Sequence, residues 1–174
     1  MGTESEGVRK VLGVGLGLLV LTLASWIEVP MVPVPMTLQS LAVLLVGAWG
    51  GPRGGTGVVI LWLGLAALGA PLLSGMEGGA DKFVGPTAGY LVAFPLAAAL
   101  AGTAAQKDGL QSPSTAWAVM LGGHALILGL GFLGLQARIG PEAAWSMGVA
   151  PFLLGMVVKS ALAVWLSPRS AQSS

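Results

Sequence analysis

Five long stretches of the chain carry no charged residue: 11–27, 29–52, 54–76, 83–106 and 109–137. A sixth apolar segment, 149–166, is interrupted only by Lys159. A helix that crosses a bilayer needs roughly 20 mainly apolar residues, so the pattern predicts six helical spans. They are placed at about 11–27, 36–49, 56–73, 90–105, 114–135 and 149–166. Between them lie "EVPMVPVP", "GGPRGG", "SGMEGGADKFVGPTAG", "KDGLQSP" and "RIGPEAAW", rich in Gly and Pro and holding nearly all the charges, as connecting loops do. Period-2 alternation is absent, and an open sheet cannot sit in lipid, so strands are not expected. The predicted fold class is all-α, an integral membrane protein with six transmembrane helices. Residues 1–10 form an N-terminal tail, 11–167 the transmembrane domain and 168–174 a C-terminal tail.

Composition strengthens this picture. Of the 174 residues 55% are hydrophobic and 9% charged, and mean hydropathy is +0.85; soluble domains are about 25% charged. The net charge of +1 gives no footprint for nucleic acid. With no cysteine there is no disulfide framework. Arg9 and Lys10 precede the first apolar run, but "LASWIEVP" makes a poor cleavage site, so the run is read as a retained helix. Basic residues set orientation. Arg9, Lys10, Arg53, Lys107 and Arg169 fall on the side of the N-terminus, and Lys82 and Arg138 on the other. That places both termini in the cytoplasm of a cell-membrane protein.

Candidate chemistry is sparse. Lys159 lies eight residues beyond Pro151, about 12 Å along a helix at 1.5 Å per residue. An unpaired cation at that depth costs at least a few kcal/mol. The structural reading bonds it to carbonyls or to a loop acid such as Glu28, Glu77 or Asp81. The functional reading aims it into a polar cavity that takes a small anionic or strongly accepting ligand. In "VPVPMTLQ" alternate prolines hold an extended backbone, after which Thr37 and Gln39 enter an apolar helix. Thr37 also suits a helix cap, whereas the Gln39 amide needs partners. "FVGPTAGY" offers a tight loop at Gly85, Pro86 and Thr87, and an amphipathic ring at Tyr90; its bland reading is a turn and an interfacial tyrosine. Phe83 and Phe152 are candidate apolar walls. His124, between glycines, reads as a hydrogen-bonded packing residue, and without Cys or a second His no metal site is expected. Gly13 and Gly17 form a small-residue pair suited either to internal packing or to docking of another membrane subunit. No nucleotide-binding signature is present. Ser25, Ser40, His124 and Ser160 show no triad spacing, so no enzyme activity and no cofactor are expected.

"VPVPMTLQ", "LVGAWGGPRGG", "LGLAALGAPLL", "GPTAGYLVAFPLAAALAG" and "GVAPFLLGMVVK", in that order, resemble the BioY family, the biotin-binding S-components of energy-coupling-factor (ECF) transporters. The resemblance covers about 18–166. It implies a non-catalytic subunit that binds biotin. A transmembrane coupling protein and two ATPase subunits would be its partners besides membrane lipid. It puts the ligand-binding lysine at Lys159 and the ligand loop at 85–90. The chain departs from the family's "PF-xx-GD-xx-K" at Met156, where aspartate is usual, and at Ala88, where glycine is usual. Met156 therefore joins the candidate ligand contacts, and an S-component for a biotin analogue or another small vitamin is the alternative.

Overall fold

In the computed structural model residues 2–168 are described, with side chains from Ser5 onward. The elements are α1 (Gly2–Trp26), a strand pair β1 (Glu28–Val29) and β2 (Met36–Thr37), α2 (Gln39–Ala67), α3 (Ala88–Gln106), α4 (Pro113–Ile139), α5 (Pro141–Gly148) and α6 (Phe152–Leu166). Two short 3₁₀ turns, Ser74–Met76 and Ala80–Phe83, lie between α2 and α3.

α2 is two helices back to back. Gly51 has φ 72° and ψ 177°, a conformation open to glycine, and Pro52 follows with no backbone donor to continue the ladder. In a continuous helix residues 47 and 55 would be about 12 Å apart along the axis. Instead a Cβ built on Gly55 would lie 2.7 Å from the Gly47 Cα. The chain has reversed into a hairpin with arms 39–50 and 52–67. This yields the six expected helical passes: α1, the two arms of α2, α3, α4, and α5 with α6. By length and composition 5–26, 88–106 and 113–139 are each sufficient to cross a membrane alone, and α5 with α6 qualify together, bent by 46°.

The first arm is the centre of the bundle. Every residue from Gln39 to Ala48 is buried, as expected for a helix apolar all round. Gly47 packs against Ala98 of α3, and Leu44 fills the notch at Gly123 of α4. Thr22 of α1 accepts a 3.2 Å bond from the Trp62 indole on the second arm. Lipid tails are as apolar as leucine, so such close approaches and interhelical hydrogen bonds hold the helices together. Outward faces carry a belt of apolar side chains, including Val11, Leu12, Val92, Leu154 and Trp165. This is a membrane protein.

Several expectations need correction. α1 runs from Gly2 through the segment read as the N-terminal tail; the C-terminal tail lies outside the described residues from 169 onward. The segment read as the loop "RIGPEAAW" contains α5, started by Pro141 at its first turn with Glu142 favourably placed there. Strands do occur, as one antiparallel pair: Glu28 faces Thr37 and Val29 faces Met36. It spans two residues per strand and flanks the proline-rich loop. Finally, Gly13 and Gly17 part company. A Cβ on Gly17 would lie 2.8 Å from Val58, whereas Gly13 has open space. Gly17 serves internal packing.

Candidate functional site

One end of the bundle encloses a cavity of about 430 Å³. Its floor comes from α2, α3, α4 and α6, and its roof from the proline-rich hairpin and the 73–87 loop. The fold brings there Thr37, Gln39, Gly85, Pro86, Thr87, Tyr90, Phe152, Met156 and Lys159. Of the ligand residues expected from the sequence, Phe83 alone is outside the lining; it is partly buried against the core.

Lys159 reaches from α6 towards the start of α2. Its ammonium donates to the Thr37 carbonyl at 3.2 Å and to the Ser40 hydroxyl at 2.8 Å. No carboxylate pairs with it among the described residues. The acids that the structural reading offers as its partners lie elsewhere: Glu77 and Asp81 pair with Lys82, Asp81 at 3.7 Å, and Glu28 stands in the roof strand. An ammonium has three hydrogens; two are directed to protein oxygens and one remains for the cavity. Carbonyl and hydroxyl dipoles hold the charge in place without cancelling it.

Other polar groups are committed inward. The Gln39 amide donates to Ser25 Oγ at 3.0 Å, and Ser25 donates to the Leu21 carbonyl at 2.7 Å, joining α2 to α1. The Thr37 hydroxyl accepts from the Gln39 backbone N–H at 3.2 Å. Tyr90 donates to the Gly148 carbonyl at 2.7 Å, which pins the end of α5 to α3. Its ring lies over Gly131, where a Cβ would come within 2.2 Å of it, and stands 6.5 Å from the Phe152 ring. Gln39 and Tyr90 thus shape the walls, with the Tyr90 hydroxyl and one hydrogen of the Gln39 amide already engaged. Thr87 donates to the Lys82 carbonyl at 3.3 Å.

At the mouth, Lys82 donates to Glu77, and this bond, with the charges of Glu77 and Asp81, raises the Lys82 pKa above its ordinary value against a smaller desolvation effect. Arg138 reaches the Val84 carbonyl from the end of α4.

Ser40 and His124 line the cavity too and were not expected there. Ser40 lies one residue after Gln39 on a helix buried all round, so nothing in the pattern marks it. His124 is visible as a polar residue in an apolar span, but its neighbours on α6 are not. Its Nδ1 lies 3.0 Å from both the Met120 carbonyl oxygen and Ser160 Oγ.

The family model described as "BioY family" matches residues 1–174. The chain belongs to the BioY family. Its relatives are named as transporters rather than enzymes. The "Probable biotin transporter BioY" of Pyrococcus horikoshii is 34% identical, over 92% of this chain and 95% of that one. The "Biotin transporter BioY" of Thermotoga maritima is 33% identical, over 93% and 95%; that of Rhodobacter capsulatus is 39% identical, over 75% and 77%. A crystal structure titled as the S-component for biotin from an ECF-type ABC transporter matches with TM-score 0.83. Its identity is 24%, over 95% of this BioY chain and 92% of that one, a likeness of fold.

Proposed function

We propose that this chain is a biotin-binding S-component that takes biotin from outside the cell with high affinity. Biotin is a flat bicycle with a urea, an apolar tail and one carboxylate. Small-molecule sites of about 300–1,000 Å³ are mostly apolar with a few placed polar groups, and the cavity at the roofed end is of that kind. The observation that carries the reading is Lys159: a cation held by two neutral oxygens, with no carboxylate and one hydrogen left for a ligand. Thr87, Gly85, Pro86, Phe152 and Met156 complete the contact set, and the names of the BioY relatives supply the choice of biotin.

Energy for uptake comes from partners, a transmembrane coupling protein and two ATPase subunits, since the chain has no nucleotide motif. The charge bias puts both termini in the cytoplasm of a plasma-membrane protein and the cavity at the outer face.

The test is calorimetric titration of the purified chain with biotin and a panel of other vitamins. Saturable 1:1 binding of biotin at sub-micromolar concentration, with the others at least a hundredfold weaker, is expected. Tighter binding of another vitamin overturns the assignment.

A further inference from the structure

His124 is 2% exposed, and its Nε2 has no hydrogen-bond partner among the described residues, although the residue lines the cavity. A carbonyl oxygen only accepts, so the Met120 contact requires the hydrogen on Nδ1. The Ser160 hydroxyl, at the same distance, shares that hydrogen or donates elsewhere. The opposite tautomer would set the Nδ1 lone pair against the carbonyl. A neutral imidazole with its hydrogen on Nδ1 carries a bare acceptor at Nε2. Buried polar groups nearly always have partners, and an unmet one weakens the protein until something fills it.

α4 thus holds a single buried acceptor on a residue that lines the cavity, its ring held from α6 through Ser160. Ser160 follows Lys159 directly, and Met156 lies one turn before it, so His124 and Lys159 meet the same stretch of α6. One offers an acceptor and the other a donor. A cyclic urea presents the complement, a carbonyl beside an N–H, whereas a carboxylate has no hydrogen to give. Met156 contributes a thioether, a weak acceptor.

We propose that His124 Nε2 accepts a ureido N–H of the ligand, making it a specificity-determining residue of the site. The inference rests on the biotin reading above and adds the ligand's orientation: the ring end sits against α4 and α6, and the carboxylate faces the mouth.

The chain has a single histidine, so ¹⁵N-histidine labelling reports this ring alone. The ligands are biotin and its two cyclic carbamate analogues, in which one or the other ureido N–H is a ring oxygen with no added bulk. The free protein should show a protonated Nδ1 and a bare Nε2. Biotin should move the Nε2 resonance upfield, and at least one carbamate should fail to do so. That carbamate should also bind roughly 10- to 100-fold more weakly, the usual loss when a buried acceptor is left unmet. H124N keeps a donor near Nδ1 and removes Nε2; it should bind biotin about as weakly as wild type binds that carbamate, without telling the two apart. H124Q, with an amide oxygen near the Nε2 position, should recover part of the discrimination. Biotin binding with no Nε2 movement, or equal binding of biotin and both carbamates by wild type, overturns the proposal and leaves the biotin reading standing. Unchanged discrimination in H124N does the same. A wild type that does not bind biotin overturns both. Should H124N not fold, the wild-type resonance and the carbamate ratio decide.

Discussion

Replacing Lys159 by methionine keeps most of the stem and deletes the ammonium. Two effects on the empty protein oppose one another. The change removes donors from the Thr37 carbonyl and Ser40 hydroxyl, and hydrogen bonds to charged groups are worth about 1.5–3 kcal/mol each. It also removes a cation whose placement in a membrane span costs at least a few kcal/mol. Both freed oxygens lie at the cavity, where water can reach them. The two contributions are of similar size, so Lys159→Met should change ligand-free stability by at most about 2 kcal/mol. For a protein of this length that is a melting shift of roughly 4–8 °C. Binding has no such compensation. Truncating one partner of a buried charge-assisted bond costs about 2–5 kcal/mol, or roughly 30- to several-thousand-fold in Kd. The assay is calorimetric titration with biotin beside thermal unfolding of the empty protein in the same detergent. Unchanged affinity together with a melting point lowered by more than 10 °C would refute the reasoning and make Lys159 a structural tie between α6 and α2.

Met156→Asp puts a carboxylate three residues before Lys159 on one helix face; biotin affinity should hold or rise, and a fall by calorimetry would mean the pocket is built around the thioether. Gly17→Leu forces a side chain into Val58 and should cost about 1–3 kcal/mol as overpacking does, whereas Gly13→Leu should leave the melting point unchanged and weaken co-purification with a coupling subunit. Single cysteines at Ser5 and Ala80 should label from opposite sides of intact cells; the second site avoids Gly79, whose φ of 119° suits only glycine. Lys82→Gln should lower stability by less than about 1 kcal/mol, because exposed ion pairs are worth little. The Lys82 pKa is raised in the folded state, so its contribution is full below the unfolded value of about 10.4 and fades as pH rises through the folded one. Melting curves of wild type and variant should therefore differ at pH 7 and converge in strong alkali.

What could be read from the sequence was what lipid makes expensive. Charges in a bilayer are rare enough that uncharged runs outlined five helical passes and a lone lysine marked the sixth. The hairpin in α2 was legible because glycine followed by proline breaks a helix wherever it occurs. The failures share a cause as well. α5 was hidden because Pro141 and Glu142, good helix starters, also look like loop residues. The strand pair spans two residues per strand, too short for any period to register. Lys159 and Ser40 lie 119 positions apart, and His124 and Ser160 lie 36 apart; no spacing rule links residues on different helices. Gly13 and Gly17 looked alike because a four-residue interval puts both on one face, yet the second arm of α2 passes only one of them.

The fold also sets which polar side chains around the cavity are bonded into the scaffold. Ser25 and Gln39 tie α1 to the start of α2, Tyr90 ties α3 to the end of α5, and Thr37 and Thr87 bond locally. Ser25, Tyr90, Thr87 and one hydrogen of the Gln39 amide donate to the protein, so these groups set the shape of the cavity. Lys159 has a third ammonium hydrogen and His124 a ring nitrogen with no partner among the described residues, one donor and one acceptor on different helices. A site with few free polar groups rejects an analogue that lacks the matching atom, because the protein's own group is then left buried and unmet. Spending polar side chains on the scaffold leaves the ligand little to bond with, and that scarcity is what makes each remaining contact discriminating.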